Sequence, residues 1–337
     1  MSKTRILTGI TTSGIPHLGN YAGAIRPAIE SSKADNVESF FFLADYHALI
    51  KKHDPQMVRE SVRSVAATWL ASGLDPNRVT FYRQTDIPEI TELTWILTTI
   101  TAKGLMNRAH AYKAAVQENV ETNAADPDKG VEMGLFSYPI LMAADIIMFN
   151  GEKIPVGKDQ IQHIEMARDI AQRFNFLYGE TFAMPEAVVD ESAMIIPGLD
   201  GRKMSKSYGN TIPLFEGEKK FRKLINKIKT NSLEPGEPKD PEGCTLFAIY
   251  SAFTDEAAQA EMRQKYANGI GWGDMKKFLF EFLNEELKDK RNEYDRLMAD
   301  PAELDRALAI GAEKARAIAT PFLADIRNKV GIGPISG

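Results

Sequence analysis

Arg5-Ile6-Leu7-Thr8-Gly9-Ile10, followed by Thr12-Ser13-Gly14 and then Pro16-His17-Leu18-Gly19-Asn20, is the stretch that decides the fold. The first run is apolar and β-leaning and reads as a strand. The triplet reads as a tight turn, and a helix is predicted from Tyr21. A strand, a Gly-containing turn and a helix N-terminus together aim backbone N–H groups and the positive end of the helix dipole at a bound phosphate. His17 stands where its ring can add a hydrogen bond to an α- or β-phosphate.

Working outward, residues 39–44 read as a buried strand, 54–72 as a helix closed by Gly73, and 79–82 as a third strand. Strands separated by helices of this length imply a parallel sheet with right-handed crossovers. Ligands of such sheets sit beyond the carboxyl ends of the strands, where His17 and Asp45-Tyr46-His47 both fall. From Ile87 to Phe149 the pattern turns helical, with apolar helices over 90–105 and 135–149 around a polar stretch, 119–130, read as a mobile loop. A helix over 159–174 and a short strand over 193–197 complete this part. The expected fold is α/β: a doubly wound parallel nucleotide-binding (Rossmann-like) sheet, residues 1–212, with a helical insertion about 88–158. An all-helical region, 213–337, follows, in which Asp274 is expected to cap one helix and Asp300-Pro301 to start the last, about 301–330. The sequence leaves open how that last helix returns to the sheet domain.

The chain has 337 residues, 44% apolar and 26% charged, enough for a sizeable core in two domains. A net charge of −5 argues against indiscriminate coating of nucleic acid, while Lys219, Lys220, Arg222, Lys223, Lys227 and Lys229 concentrate positive charge locally. That cluster fits a solvated helix face or contacts to a phosphate backbone. The single cysteine, Cys244, excludes an internal disulfide and a multi-cysteine metal site. No apolar run reaches membrane-spanning length, and Met1-Ser2-Lys3-Thr4-Arg5 runs straight into the first strand, so a soluble, cytoplasmic protein with no signal peptide is expected.

The second decisive stretch is Lys203-Met204-Ser205-Lys206-Ser207, two lysines in a Gly- and Ser-rich loop between Gly198 and Gly209-Asn210. Flexible ammonium groups suit charge that builds up on departing pyrophosphate. The pentapeptide resembles the second consensus of class I aminoacyl-tRNA synthetases. His17-Leu18-Gly19-Asn20 resembles the first, with Asn20 in place of its final His. Further segments resemble tryptophanyl-tRNA synthetases in particular: Asp45-Tyr46-His47-Ala48, Ser137-Tyr138-Pro139 through Ala143-Ala144-Asp145, Pro155-Val156-Gly157 through His163, Ala167-Arg168-Asp169, Arg173-Phe174-Asn175 and Gly311 through Ala315. The resemblance spans almost the whole chain.

It implies activation of L-tryptophan by ATP to an adenylate and transfer to tRNA(Trp), with Mg²⁺ held mainly by the ATP phosphates, in a homodimer joined through the insertion. It implies His17, Lys203 and Lys206 as catalytic. ATP would be bound by Thr12, Ser13, His17, Gly19, Asn20, Gly157, Asp159, Gln160, Lys203, Met204, Ser205, Lys206 and Ser207. Tryptophan would be bound by His47, Tyr138, Met142, Asp145 and Gln160, and tRNA by Lys219, Lys220, Arg222 and Lys223. Physics supports Asp145: indole offers one N–H on a flat apolar body, and a lone carboxylate on an apolar helix is costly to bury unless paired. The other reading of Asp145 is an outward-facing carboxylate or one accepting from nearby backbone. Met142 equally fits a core position, and His47 and His163 equally fit hydrogen-bonded core histidines.

The chain departs from the family pattern at Thr11-Thr12-Ser13-Gly14 in place of Gln-Pro-Ser-Gly, at His17 in place of Thr, at Lys158 in place of Glu and at Tyr208 in place of Asp. A further lysine of the insertion is missing, with Lys113 nearby. Competing readings are a tyrosyl-tRNA synthetase, disfavoured by Ala143-Ala144-Asp145, and a nucleotidyltransferase for a small cofactor precursor, which needs no basic helical domain. A catalytically retired paralogue is the third, and intact His17, Lys203, Lys206 and Asp145 weigh against it.

Overall fold

The structure, a computed structural model, describes residues 3–12, 14–189 and 195–335. In chain order the elements are β1 (Thr4–Thr11), α1 (Leu18–Asn20), a π-helical turn (Tyr21–Ile25), α2 (Arg26–Ser31), β2 (Val37–Ala44), α3 (Asp45–Ala48), α4 (Pro55–Ala71) and β3 (Thr80–Arg83). Then follow α5 (Pro88–Ile100), α6 (Lys103–Met106), α7 (His110–Glu121), α8 (Met133–Ile147), β4 (Lys153–Pro155), α9 (Ile161–Tyr178) and β5 (Glu186–Val188). The α-helices after β5 are α10 (Glu218–Lys227), α11 (Thr245–Ser251), α12 (Glu256–Ala267), α13 (Trp272–Ala299) and α14 (Pro301–Lys329).

The strands form one five-stranded sheet in the order β3-β2-β1-β4-β5, every pair parallel. Because the order reverses at β1, the crevice between the carboxyl ends of β1 and β4 is the place where such sheets bind ligands. Phe40, Phe41, Phe42 and Leu43 of β2 are all buried, as a strand covered on both faces requires. Phe41 and Leu43 pack in a core shared with α4 and α10–α13, whereas Phe40 and Phe42 join α5, α8, α9 and the far half of α14. The two hydrophobic cores are therefore the two faces of the sheet, and the C-terminal helices contribute to both.

The sequence-based boundaries hold for β1 to β3 within about two residues and fail where elements are short. The expected helix over 90–105 breaks at Thr101-Ala102 into α5 and α6, and the first part of the expected loop over 119–130 belongs to α7. β4 and β5, three residues each, carry no readable alternation. The expected strand over 193–197 falls partly outside the described residues; within them, Pro197 makes an antiparallel bridge to Lys203. Asp274 is not a cap: α13 starts at Trp272 behind Gly271, which places Asp274 inside the first turn. Asp300 does cap α14, its Oδ1 accepting from the Glu303 backbone at 3.2 Å with Pro301 in the first turn. The last helix returns to the sheet and packs along β3.

Candidate active site

The two motifs meet because the chain leaving the lysine loop pairs with the first turn. Leu18 N–H donates to Ile212 O at 3.0 Å, Leu214 N–H to Pro16 O at 3.1 Å, and His17 and Pro213 form an antiparallel bridge. Between them opens a cleft of about 810 Å³ at the carboxyl end of β1. Its lining includes Gly14, His17, Gly19, Asn20 and every residue from Lys203 to Tyr208. Thr12, Gly157, Asp159 and Gln160 are not in that lining, and Ser13 lies outside the described residues. Thr12 is buried, its hydroxyl on Ala44 O at 3.4 Å.

His17 is the N-cap of α1. Its Nδ1 accepts from Asn20 N–H at 3.2 Å, while Asn20 Oδ1 accepts from His17 N–H at 3.1 Å. This reciprocal cap fixes the ring. With Nδ1 an acceptor, the neutral imidazole carries its proton on Nε2, free to donate. Burial, aided by the Lys206 charge, pushes the His17 pKa down to about 4, so the ring is neutral at pH 7. A side chain at Gly19 would come within 3.1 Å of His17 Nδ1. Lys206 reaches across the cleft, its Nζ 3.3 Å from where a Cβ on Gly14 would lie, and Gly14 has φ of +130°. Partial burial and the Lys52 charge lower the Lys206 pKa from its ordinary value.

The lysine loop is built on Asn210, a buried side chain whose role the sequence did not suggest. Its Oδ1 accepts from Ser205 N–H at 2.8 Å, and its amide donates to Lys203 O at 3.1 Å and Asp200 Oδ1 at 2.7 Å. Asp200 is held at a pKa of about 2, chiefly by that Asn210 bond and then by Arg202. A Cβ on Gly198 would lie 2.4 Å from Asn210 O, so only glycine lets the two strands of the loop base approach. Met204 is buried and anchors the loop to the core. Arg202 stacks over Tyr208 at 4.4 Å, across the loop mouth.

A second constellation lies where β2 and β3 end against α8. Asp145 is fully buried, 0% exposed. Its Oδ2 accepts from His47 Nε2 at 2.9 Å, and Gln84 Nε2 donates to Oδ1 at 2.8 Å and to Oδ2 at 2.9 Å. Burial raises the Asp145 pKa, and His47 and Gln84 oppose the rise. Hydrogen bonds to a charged group contribute about 1.5–3 kcal/mol each, against several kcal/mol for burying the carboxylate, so these donors are what make it tolerable. The outward-facing reading of Asp145 is excluded, and its partners are side chains, not local backbone. The fully buried Tyr82 hydroxyl, without a hydrogen-bond partner among the described residues, completes the surroundings; burial and the Asp145 charge raise its pKa.

Beside it runs a polar chain: Asp159 Oδ2 accepts from Gln160 Nε2 (2.8 Å), Gln160 Oε1 faces His163 Nδ1 (2.8 Å), and His163 Nε2 faces the Tyr138 hydroxyl (2.8 Å). Gln160 Oε1 can only accept, so His163 carries its proton on Nδ1 and accepts at Nε2 from Tyr138. Burial lowers the His163 pKa, consistent with a neutral ring. The Tyr138 oxygen is left with lone pairs to accept from an ammonium. The His47 and Tyr138 rings meet edge-on at 6.1 Å, linking the two groups, and Met142 is a half-buried wall of the same helix. On α10, Phe221 and Ile225 are buried and Lys219, Lys220, Arg222 and Lys223 exposed; Lys220 pairs with Glu216 at 2.8 Å and Arg222 stacks on Phe280 at 4.2 Å.

A family model described as tRNA synthetases class I (W and Y) matches residues 1–288. The tryptophan–tRNA ligase of Neisseria meningitidis is 60% identical over 335 residues, covering 99% of this chain and 100% of that one. The tryptophan–tRNA ligase of Pseudomonas putida is 61% identical over 332 residues, covering 98% and 74%. Among solved structures, tryptophanyl-tRNA synthetase from Campylobacter jejuni, complexed with ADP and tryptophan, matches with a TM-score of 0.88 at 42% identity, covering 97% and 100%.

Proposed function

The chain belongs to the class I tRNA synthetases of the tryptophan and tyrosine type, and from that membership we propose which of its residues carry the reaction. The activity is tryptophan–tRNA ligation, in which ATP drives the joining of L-tryptophan to tRNA(Trp). In the first step a tryptophan carboxylate oxygen bonds to the α-phosphorus of ATP as the bond to pyrophosphate breaks. In the second, a ribose hydroxyl at the tRNA 3′ end takes the acyl group and AMP leaves. The observation that supports the residue assignment best is the pairing of 16–18 with 212–214, which puts His17 and Lys206 on one cleft.

The first step depends on alignment and charge neutralisation more than on proton transfer. In our reading His17 donates Nε2–H to a phosphate oxygen, Asn20 helps hold the same phosphates, and Lys203 and Lys206 stabilise the leaving pyrophosphate. Ser205, Ser207 and Met204 shape and anchor the loop, and Gly19 leaves room for the His17 ring. Asp145 accepts the indole N–H, Met142 lines the ring, Tyr138 and His47 face the ammonium, and the remaining amide proton of Gln160 serves the carboxylate. Gly157 and Asp159 frame the ribose from the β4 side. Mg²⁺ is taken to enter with ATP and to be held mainly by its phosphates.

Residues 1–212, with the insertion about 88–158, form the catalytic domain in this proposal, and the helices from 213 onward recognise the tRNA, with Lys219, Lys220, Arg222 and Lys223 toward its backbone. We also propose a homodimer through the insertion, where Trp95 of α5 is 69% and Met133 of α8 is 71% exposed, working in the cytoplasm where tRNA is charged. Among the described residues no helix is long and apolar enough to cross a membrane.

The test is amino-acid-dependent exchange of labelled pyrophosphate into ATP with each of the twenty amino acids. Exchange is expected with tryptophan alone, and Asp145→Ala is expected to lower kcat/KM for tryptophan by roughly 100-fold, because an unpaired indole N–H and a cavity replace a charged acceptor. Exchange with tyrosine in the wild type would remove Asp145 from the pocket.

A further inference from the structure

We propose that Gln84 is a specificity-positioning residue: it holds the Asp145 carboxylate so that the one acceptor position used by neither Gln84 nor His47 is directed to an indole N–H. The inference rests on the reading of Asp145 given above and assigns the part of the site that sets its geometry.

Gln84 follows β3 directly and is 0% exposed. Its amide cannot flip. Oε1 accepts from Tyr46 N–H at 3.1 Å, so Nε2 must face Asp145, which it meets at 2.8 and 2.9 Å. The reversed amide would set a carbonyl oxygen against a carboxylate and leave the Tyr46 N–H facing an NH₂ group. The backbone that carries Gln84 is fixed as well. Next to it, Thr85 donates from N (3.1 Å) and Oγ1 (2.6 Å) to the two oxygens of Asp45, so the segments leaving β2 and β3 are tied together at two successive residues.

A carboxylate offers roughly four acceptor positions, and with Gln84 and His47 in place three contacts are made within the chain. Both protein partners donate, so Asp145 is kept an acceptor and its remaining position can only be filled by a donor. An indole N–H qualifies. A sulfur or methylene at the same place does not. Without Gln84 the carboxylate loses two of these contacts and is free to turn toward other partners, Tyr82 included. What distinguishes this from a merely structural role is selectivity: a residue that only fills the core would affect all amino acids that fit the pocket alike.

The experiment compares L-tryptophan with β-(benzothiophen-3-yl)-L-alanine, in which sulfur replaces the indole N–H, by pyrophosphate exchange on the full chain. Wild type, Gln84→Met, Asp145→Asn and the double variant are measured. The wild type is expected to prefer tryptophan by roughly tenfold or more, the discrimination one buried hydrogen bond to a charged group supplies. Gln84→Met is expected to raise KM for tryptophan roughly tenfold with a smaller change in kcat, to leave the sulfur analogue and KM for ATP within about threefold, and to add little in the Asp145→Asn background. Equal losses for both amino acids, or an unchanged preference in Gln84→Met, would overturn the proposal while leaving the wild-type preference, and so Asp145, intact. A wild type that does not distinguish the two would overturn the reading of Asp145 itself. If Gln84→Met does not fold, Gln84→Asn, which keeps the amide but withdraws it by one methylene, takes its place: a selective loss for tryptophan supports the proposal, and equal losses or an unchanged preference overturn it.

Discussion

Replacing Lys206 by alanine is expected to slow tryptophan-dependent pyrophosphate exchange by about 10²–10³-fold, about 3–4 kcal/mol of transition-state stabilisation, with KM for tryptophan almost unchanged. The size follows from where the ammonium sits. It projects across the cleft to the Gly14 turn, opposite His17, and partial burial and Lys52 have already lowered its pKa. A cation that is poorly solvated before phosphate arrives gains more from the charge that develops on pyrophosphate than one bathed in water. His17 does not substitute: burial, the larger cause of its lowered pKa, remains when the lysine is gone and still favours the neutral ring, which can donate a hydrogen bond but carries no charge. The loop itself should survive the change, since its shape rests on Asn210, Gly198 and the buried Met204, not on the lysine side chain. Single-turnover adenylate formation with saturating substrates reads the effect directly. A rate equal to wild type would place Lys206 outside the chemistry, whereas a large KM effect without a kcat effect would make it a ground-state ATP contact.

How much of the fold and the site is legible in the sequence depends on how far apart the cooperating residues lie. His17 with Asn20 is a local device, a cap across three residues, and Lys203 to Ser207 is a contiguous string, so both stand out in the sequence. The pattern of strands and helices up to β3 is likewise local and readable. Asp145 can be singled out because a carboxylate is out of place on the apolar α8. Gln84 cannot, since a glutamine at the end of a strand is unremarkable until Tyr46 and Asp145, 38 and 61 residues away, are seen to bracket it. Asn210 is hidden differently: in a Gly-Asn pair it reads as a turn former, and only the structure shows it buried and bonded to three parts of the loop. β4 and β5 are too short for a period to register, yet they place Gly157, Asp159 and Gln160. Those three are assigned to ATP by resemblance, and two of them are bonded into the chain that ends at Tyr138.

The last helix gives the strongest stability prediction, and its sign depends on a contest between two effects. Gly→Ala in a helix interior normally stabilises by about 1 kcal/mol, because alanine loses less backbone freedom on folding. Gly311 lies in the middle of α14, so helix propensity alone would predict a gain. But a Cβ there would lie 1.7 Å from Phe81 O and 2.4 Å from Phe81 C, both backbone atoms of β3 that no rotamer change can move. The helix would have to lift off the sheet edge. β3 is the end strand of the sheet, and α14 covers it, as an exposed strand edge demands. Several bonds depend on that seat: Lys314 Nζ donates to Pro76 O, Asn77 O and Val79 O at 2.8–3.0 Å, Arg83 pairs with Asp305 at 2.9 Å, and Thr320 Oγ1 donates to Glu89 at 2.6 Å. Overpacking against rigid backbone together with the loss of these contacts outweighs the propensity gain, so Gly311→Ala is expected to destabilise by about 3 kcal/mol or more, read by urea or thermal denaturation. Because Gln84 continues β3 three residues beyond Phe81, any surviving folded fraction should also bind tryptophan more weakly. A variant as stable as wild type would mean that α14 does not dock on β3 in solution. An exposed position on the same helix, such as Glu313→Ala, serves as the control in which propensity acts without the clash.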